Sequence, residues 1–103
     1  MAWTVIYHPE VTEDLEALGP AKARVALKVI EQRIKNGEPD KAGSPLRDRL
    51  SGYRRIRTQD IRIVYHVDGK KVEVLIIAVG ARRDSEVYAS ATKRRGSQVT
   101  PHK

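Results

Sequence analysis

The sequence predicts an α+β domain in the order β-α-α-β-β-β-α. The sheet is mostly antiparallel, with a helical hairpin on one face and a short C-terminal helix. Three observations predict it. Apolar residues recur at helical spacing between residues 9 and 36 and not in the middle of the chain. From residue 53 onward the period switches to two, the period of strands. Gly19-Pro20, Asn36-Gly37 and Asp68-Gly69 stand where one pattern gives way to the next.

Residues 2–8, AWTVIYH, are β-branched and aromatic and predict the first strand. After Pro9, the spacing of Val11, Leu15 and Leu18 predicts a short helix whose first turns carry acidic residues, where the helix dipole favours them. Gly19-Pro20 ends it and starts a second helix. There Ala23, Leu27, Ile30 and Ile34 form an apolar stripe that Asn36-Gly37 closes. Residues 37–51 are rich in turn formers and predict a loop, pinned to the core by Leu46 and Leu50. Strands are expected at 53–58, 61–67 and 71–79, and a last helix at 84–94. The folded domain is expected to be 1–95, with 96–103 a disordered tail.

The charge is unevenly placed. Residues 1–46 hold 6 Lys+Arg and 7 Asp+Glu, a balance of −1; residues 47–103 hold 14 and 6, a balance of +8. So basic a half suggests a polyanionic partner. No cysteine is present, which excludes disulfides and thiolate chemistry. No apolar run reaches the length of a membrane span, and MAWTVIYHPE lacks the pattern of a secretory signal, so a cytoplasmic location is expected. His8, His66 and His102 are scattered and no Asp/Glu/His ligand set is clustered, so neither a metal nor another cofactor is expected.

The pattern of two decides where the arginines point. With Asp68-Gly69 as a two-residue type I′ turn, Tyr65 opposes Val72, Ile63 opposes Val74 and Ile61 opposes Ile76, all on the helix-covered face. With Gln59-Asp60 as the preceding turn, Ile56 joins that face. Arg57 then opposes Arg62, and Arg55 opposes Val64, on the uncovered face. A slip of one residue would expose Ile56 and bury two arginines. Arg54 falls on the core side and is expected to snorkel out at the edge. Like charges across strands repel, and Glu73 is the acid on that face able to pair with one of them. Guanidinium forks suit phosphate and can stabilise the extra negative charge of a pentacovalent transition state. From the residues alone, Tyr88 reads as a side chain packing the last helix down, and His66 as a solvated strand histidine.

The stretch LSGYRRIRTQDIRIVYHVDGKKVEVLIIAVGARRDSEVY, with its ending VGARRDSEVY and the segments RIR and IRIVY, resembles the RelE toxins of type II toxin–antitoxin systems, within the RelE/ParE superfamily. The specific part of the likeness is residues 46–95. The resemblance implies metal-independent cleavage of mRNA in the ribosomal A site by attack of a ribose 2′-OH on the adjacent phosphate. It also implies a cognate antitoxin whose acidic and apolar segment wraps the toxin in a hetero-oligomer. Carried over by position, Arg62 holds the scissile phosphate, Arg82 stabilises the transition state and Tyr88 orients or stacks on a base. Arg55 stands where the best-studied members have a strand lysine. Arg57, Arg54, Arg83, Lys93 and His66 are further expected RNA contacts. Arginine cannot serve as a proton shuttle as lysine can, so His66 and Tyr88 are the candidate bases. Two alternatives remain at this point: a ParE-like non-nuclease toxin acting on DNA gyrase, and an inactive nucleic-acid-binding relative. Tyr88 in register favours the nuclease; the lysine replaced by Arg55, and a second family lysine with no counterpart around Gly52 and Tyr53, favour the ParE-like toxin.

Overall fold

Period-two alternation sends Ile56, Ile61, Ile63, Tyr65, Val74 and Ile76 to one side of a sheet, and the helical hairpin covers them. In a computed structural model, which describes residues 2–81 and 84–96, the order is β1 (Thr4–Tyr7), α1 (Val11–Leu18), α2 (Pro20–Val29), β2 (Ser44–Pro45), β3 (Tyr53–Thr58), β4 (Ile61–Asp68), β5 (Glu73–Ala81) and α3 (Asp84–Gly96). The last turns of the second helix widen into a π-helix over Ile30–Lys35. The strands lie in the order β1-β5-β4-β3-β2; β1 runs parallel to β5 and the other pairs are antiparallel. The expected tail beyond Gly96 lies outside the described residues.

Register between β3 and β4 is the one alternation demands: Ile56 faces Ile63, Arg55 faces Val64 and Arg57 faces Arg62. The β4–β5 hairpin differs from expectation. Asp68 pairs with Glu73, so the connection is the four residues 69–72 rather than a two-residue turn. The Asp68 carboxylate accepts the N–H groups of Lys70 and Lys71 at 3.1 and 3.3 Å, and this side-chain turn takes the place of the type I′ geometry. Tyr65 therefore faces Ile76, not Val72. The shift is an even number of residues, so the core face survives it. A bulge at Val64/Tyr65 then changes the count, and Ile63 faces Val79. Ile77 and Ala78 both turn to the second face as a result.

Two further expectations are corrected. Leu27 is 41% exposed, whereas Ala26, Ile30 and Ile34 are buried. The stripe follows strict i, i+4 steps into the π-helix, which leaves Leu27 at its margin. The loop 37–51 contains β2, whose Ser44 and Pro45 pair with Arg55 and Arg54; proline is tolerated there because the strand is an edge. Leu46 and Leu50 do pin this loop, to a second core and not to the one under the hairpin.

That second core is the main difference from the sequence reading. The face expected to be uncovered carries Val64, Ile77 and Ala78, which must be taken out of water. Helix α3 lies over them with Val87 and Ala91. Gly80 lets it approach: a Cβ at that position would stand 2.5 Å from Val87 Cγ2. The sheet is thus helix-covered on both sides, fully by the hairpin and partly by α3.

Candidate functional site

Three cross-strand rungs build the second face. Arg57, Arg62 and Gly80 form one; Arg55, Val64 and Ala78 the next; Tyr53, His66 and Leu75 the third. The alternation that buries Ile56 and Ile63 forces Arg55, Arg57 and Arg62 to this side. Two of its apolar members, Val64 and Ala78, carry α3, so the helix stands beside the arginines.

Arg62 is only 6% exposed, and its Nη1 donates to the Asp60 carbonyl at 2.6 Å. The bond folds the guanidinium back over the β3–β4 turn. Arg55 is half-buried, and its Nη1 donates to the Tyr88 hydroxyl at 3.0 Å. Two residues 33 apart in sequence are thereby joined. Arg57 is exposed beside Arg62. The structure brings together Arg55, Arg57, Arg62 and Tyr88.

The other expected contacts are placed differently. Arg54 is on the hairpin side, where its Nε donates to the Ala42 carbonyl at 3.0 Å. The Tyr65 hydroxyl reaches the same carbonyl and that of Pro39, both at 2.9 Å, so Arg54 and Tyr65 together hold the loop. The expected snorkel is thus a structural tie, away from the arginine face. His66 lies against Tyr53, ring centroids 5.1 Å apart, four residues along β4 from Arg62 and so roughly 13 Å away. Lys93 is exposed on α3. Arg82 and Arg83 lie outside the described residues; the chain reaches them directly after Ala81, which faces Ile61.

Glu73, the expected partner, faces Asp68; five residues of β5 separate it from Ala78 in the Arg55 rung, roughly 16 Å. Asp60 is bound by Lys22 at 2.7 Å, and that hydrogen bond holds its carboxyl below the ordinary range. Arg57 and Arg62 face each other across the strands, a like-charge pairing. Among the described residues no three His, Cys, Asp or Glu come together as a metal-ligand set, and no helix is long and apolar enough to cross a membrane.

One cluster escaped the sequence reading. Arg94 is 7% exposed on α3, with Nη1 and Nη2 on the two Asp14 carboxylate oxygens at 2.6 and 2.9 Å. The same Nη1 reaches the Ile77 carbonyl at 3.1 Å, and Asp14 Oδ2 accepts the Val79 N–H at 3.0 Å. Asp14 therefore serves more than the α1 dipole. Beyond Tyr7 the strand β1 stops, and this ion pair hydrogen-bonds the stretch of β5 that runs past it. The available signal was spacing: Val87, Ala91 and Arg94 stand at i, i+4, i+7, which places the arginine on the buried stripe. Beside it, His8 is buried and its Nδ1 accepts the Glu10 N–H at 3.1 Å.

Comparison with known proteins agrees with this architecture. A family model described as the ParE toxin of the type II toxin–antitoxin system parDE matches residues 5–86. The mRNA interferase toxin RelE of Escherichia coli K12 is 48% identical over 40 residues, as is the mRNA interferase RelE of Shigella flexneri. Those 40 residues are 39% of this chain and 42% of the E. coli protein, so the match spans less than half of the relative. Among solved structures, the toxin–antitoxin complex RelBE2 of Mycobacterium tuberculosis aligns with a TM-score of 0.74 and 27% identity, covering 82% of this chain and 95% of that one. A mutant of E. coli RelE in the free state aligns at 0.62 and 28%, covering 91% and 98%. Another structure of the mutant, in complex with a peptide of the antitoxin RelB, aligns at 0.55 and 25% over the full length of both chains. With a matching family model over most of its length and RelE-like neighbours throughout its fold, the chain belongs to the RelE/ParE superfamily of type II toxin–antitoxin toxins.

Proposed function

We propose that this toxin is a metal-independent, ribosome-dependent endoribonuclease that cuts mRNA in the A site and is silenced by a cognate antitoxin. The observation that carries the reading is the Arg55–Tyr88 hydrogen bond, one rung from Arg62, on the face where alternation gathers the cations. Arg62 and Arg82 hold the non-bridging oxygens of one phosphodiester. The ribose 2′-OH attacks that phosphorus and gives up its proton, the bond to the following 5′-oxygen breaks, and the leaving oxygen takes up a proton. The product strand ends in a 2′,3′-cyclic phosphate. The guanidinium groups stabilise the charge that gathers on phosphorus oxygens. Tyr88 accepts from Arg55 through its oxygen, which directs its own O–H outward to the nucleotide. Of the two candidate bases, Tyr88 stands with the arginines and His66 stands apart, so Tyr88 takes the role as a relay: its oxygen takes the 2′-OH proton as its own O–H proton passes to the leaving 5′-oxygen. The antitoxin presents acidic and apolar side chains to this face and forms a hetero-oligomer with the toxin in the cytoplasm.

A second reading has its own support. The matching family model is that of ParE toxins, and Arg55 removes the lysine that acid–base catalysis would use. Under it the chain is a non-nuclease toxin acting on DNA gyrase. Expression without antitoxin separates them: codon-positioned mRNA breaks support the nuclease, and DNA breaks with an SOS response support the gyrase poison. An inactive relative leaves growth unchanged.

A further inference from the structure

We infer that the Asp14–Arg94 ion pair is a positioning device that sets where Tyr88 stands against Arg55, so that residues of the helical hairpin and of the last helical turn govern the candidate site. The functional half of this rests on the proposed reading of Tyr88 as an RNA-contacting side chain.

Helix α3 has a thin apolar footing. Among the described residues its buried side chains are Val87 and Ala91 near Tyr88, and Arg94 one turn further on. A valine seated on a glycine and an alanine fix how close the helix comes to β5. They do little to fix its rotation or its slide along the strand, because apolar contact is non-directional. Arg94 supplies the direction. Its planar fork meets both oxygens of Asp14, a geometry that tolerates little rotation. Its further bond to the Ile77 carbonyl ties the helix to β5 itself. Asp14 is in turn held to β5 through the Val79 N–H, so the anchor belongs to the sheet as much as to α1. Arg94 and Tyr88 are six residues apart, about 9 Å along a rigid helix, and a change of anchor moves the phenol. The Arg55–Tyr88 bond at 3.0 Å then forms or fails according to a contact six residues further along the helix. Neither Asp14 nor Arg94 belongs to the expected set of RNA contacts.

Two conservative variants test this in the full-length chain. Asp14→Asn keeps an oxygen for the Val79 N–H and removes the carboxylate that meets the Arg94 fork, leaving Glu10 Oε1 at 3.5 Å from Arg94 Nε. Arg94→Lys keeps the charge and removes the fork. The primary readout is NMR: in both variants the Tyr88 ring resonances move toward those of Arg55→Ala, and amides 85–96 exchange faster while β4 amides keep their protection. The consequence is read on mRNA-programmed ribosomes. Each variant lowers kcat by about 10- to 100-fold with KM unchanged, and adding either to Tyr88→Ala lowers it no further, because residues acting through one group are non-additive. Tyr88 resonances that stay in place overturn the inference, as does a kcat loss that adds fully to that of Tyr88→Ala. If the wild type cuts no RNA, the nuclease reading falls and the NMR comparison alone decides whether the ion pair positions Tyr88.

Discussion

On the hairpin face, β3, β4 and β5 present Ile56, Ile63, Tyr65, Val74 and Ile76, all fully buried. On the other face the same strands present Arg55, Arg57, Arg62 and His66 around a small apolar patch of Val64, Ile77 and Ala78. One face is built to exclude water. The other excludes just enough to seat α3, with Arg57 exposed, Arg55 half-buried and Arg62 buried beside it. Stability and the candidate chemistry are therefore separated by the thickness of one sheet. Substitutions should sort by face: those under the hairpin change how much folded protein exists, and those on the arginine face change what the folded protein does.

The largest expected effect on folding tests the first half of that comparison. Ile63→Ala removes a fully buried side chain between the sheet and the hairpin, and urea unfolding should show a loss of about 2–5 kcal/mol. A loss under 1 kcal/mol would mean that the hairpin face is not the main core. Gly80→Ala tests the boundary between the faces. The added methyl collides with Val87, so α3 must shift, at a cost of about 1–3 kcal/mol. Tyr88 should part from Arg55 in the same variant. Unchanged stability together with an unchanged Tyr88 environment would contradict the seating of α3 on Gly80.

Smaller effects sharpen the comparison. Arg57 is exposed, so Arg57→Ala should change the unfolding free energy by less than about 0.5 kcal/mol. Binding to RNA should weaken in the same variant and lose part of its salt dependence, with a slope lower by about one phosphate contact. An unchanged slope would place the RNA elsewhere. The smallest effect concerns pH. Burial first, and the Arg94 charge second, hold His8 below its ordinary value of 6.5, so the folded protein keeps it neutral. Below that value the unfolded chain takes up the proton first. The stability His8 contributes is therefore complete above pH 6.5 and is lost as pH falls through the depressed folded value. Urea midpoints for wild type and His8→Asn, measured from pH 8 to 5, should diverge on the acid side; parallel curves would remove His8 from the account.

Much of this was legible in the sequence because it depends on local periodicity. Strands β3 and β4, their turn and the facing of Arg57 with Arg62 follow from alternation anchored by Ile56 and Ile63. The helical hairpin follows from spacing and from Gly19-Pro20. What was not legible depends on choices made by tertiary context. Asp68 turned its own side chain into the hairpin, which lengthened the loop without disturbing the face. A bulge placed two apolar residues together, and that needed a covering helix. Leu27 stands at the margin of a stripe that the π-helix draws aside. Arg54 and Arg55 are sequence neighbours with the same chemistry, yet one ties down a loop and the other holds Tyr88. Asp14 and Arg94 are 80 residues apart, and nothing local pairs them.

The most direct test is mRNA cleavage on programmed ribosomes by the wild type beside Arg62→Ala, Arg82→Ala and Tyr88→Ala. The wild type should cut at the A-site codon, and each arginine variant should cleave about 100- to 1000-fold more slowly while remaining folded and bound by the antitoxin. Intact mRNA with the wild type, or arginine variants that cut at the wild-type rate, would contradict the nuclease reading.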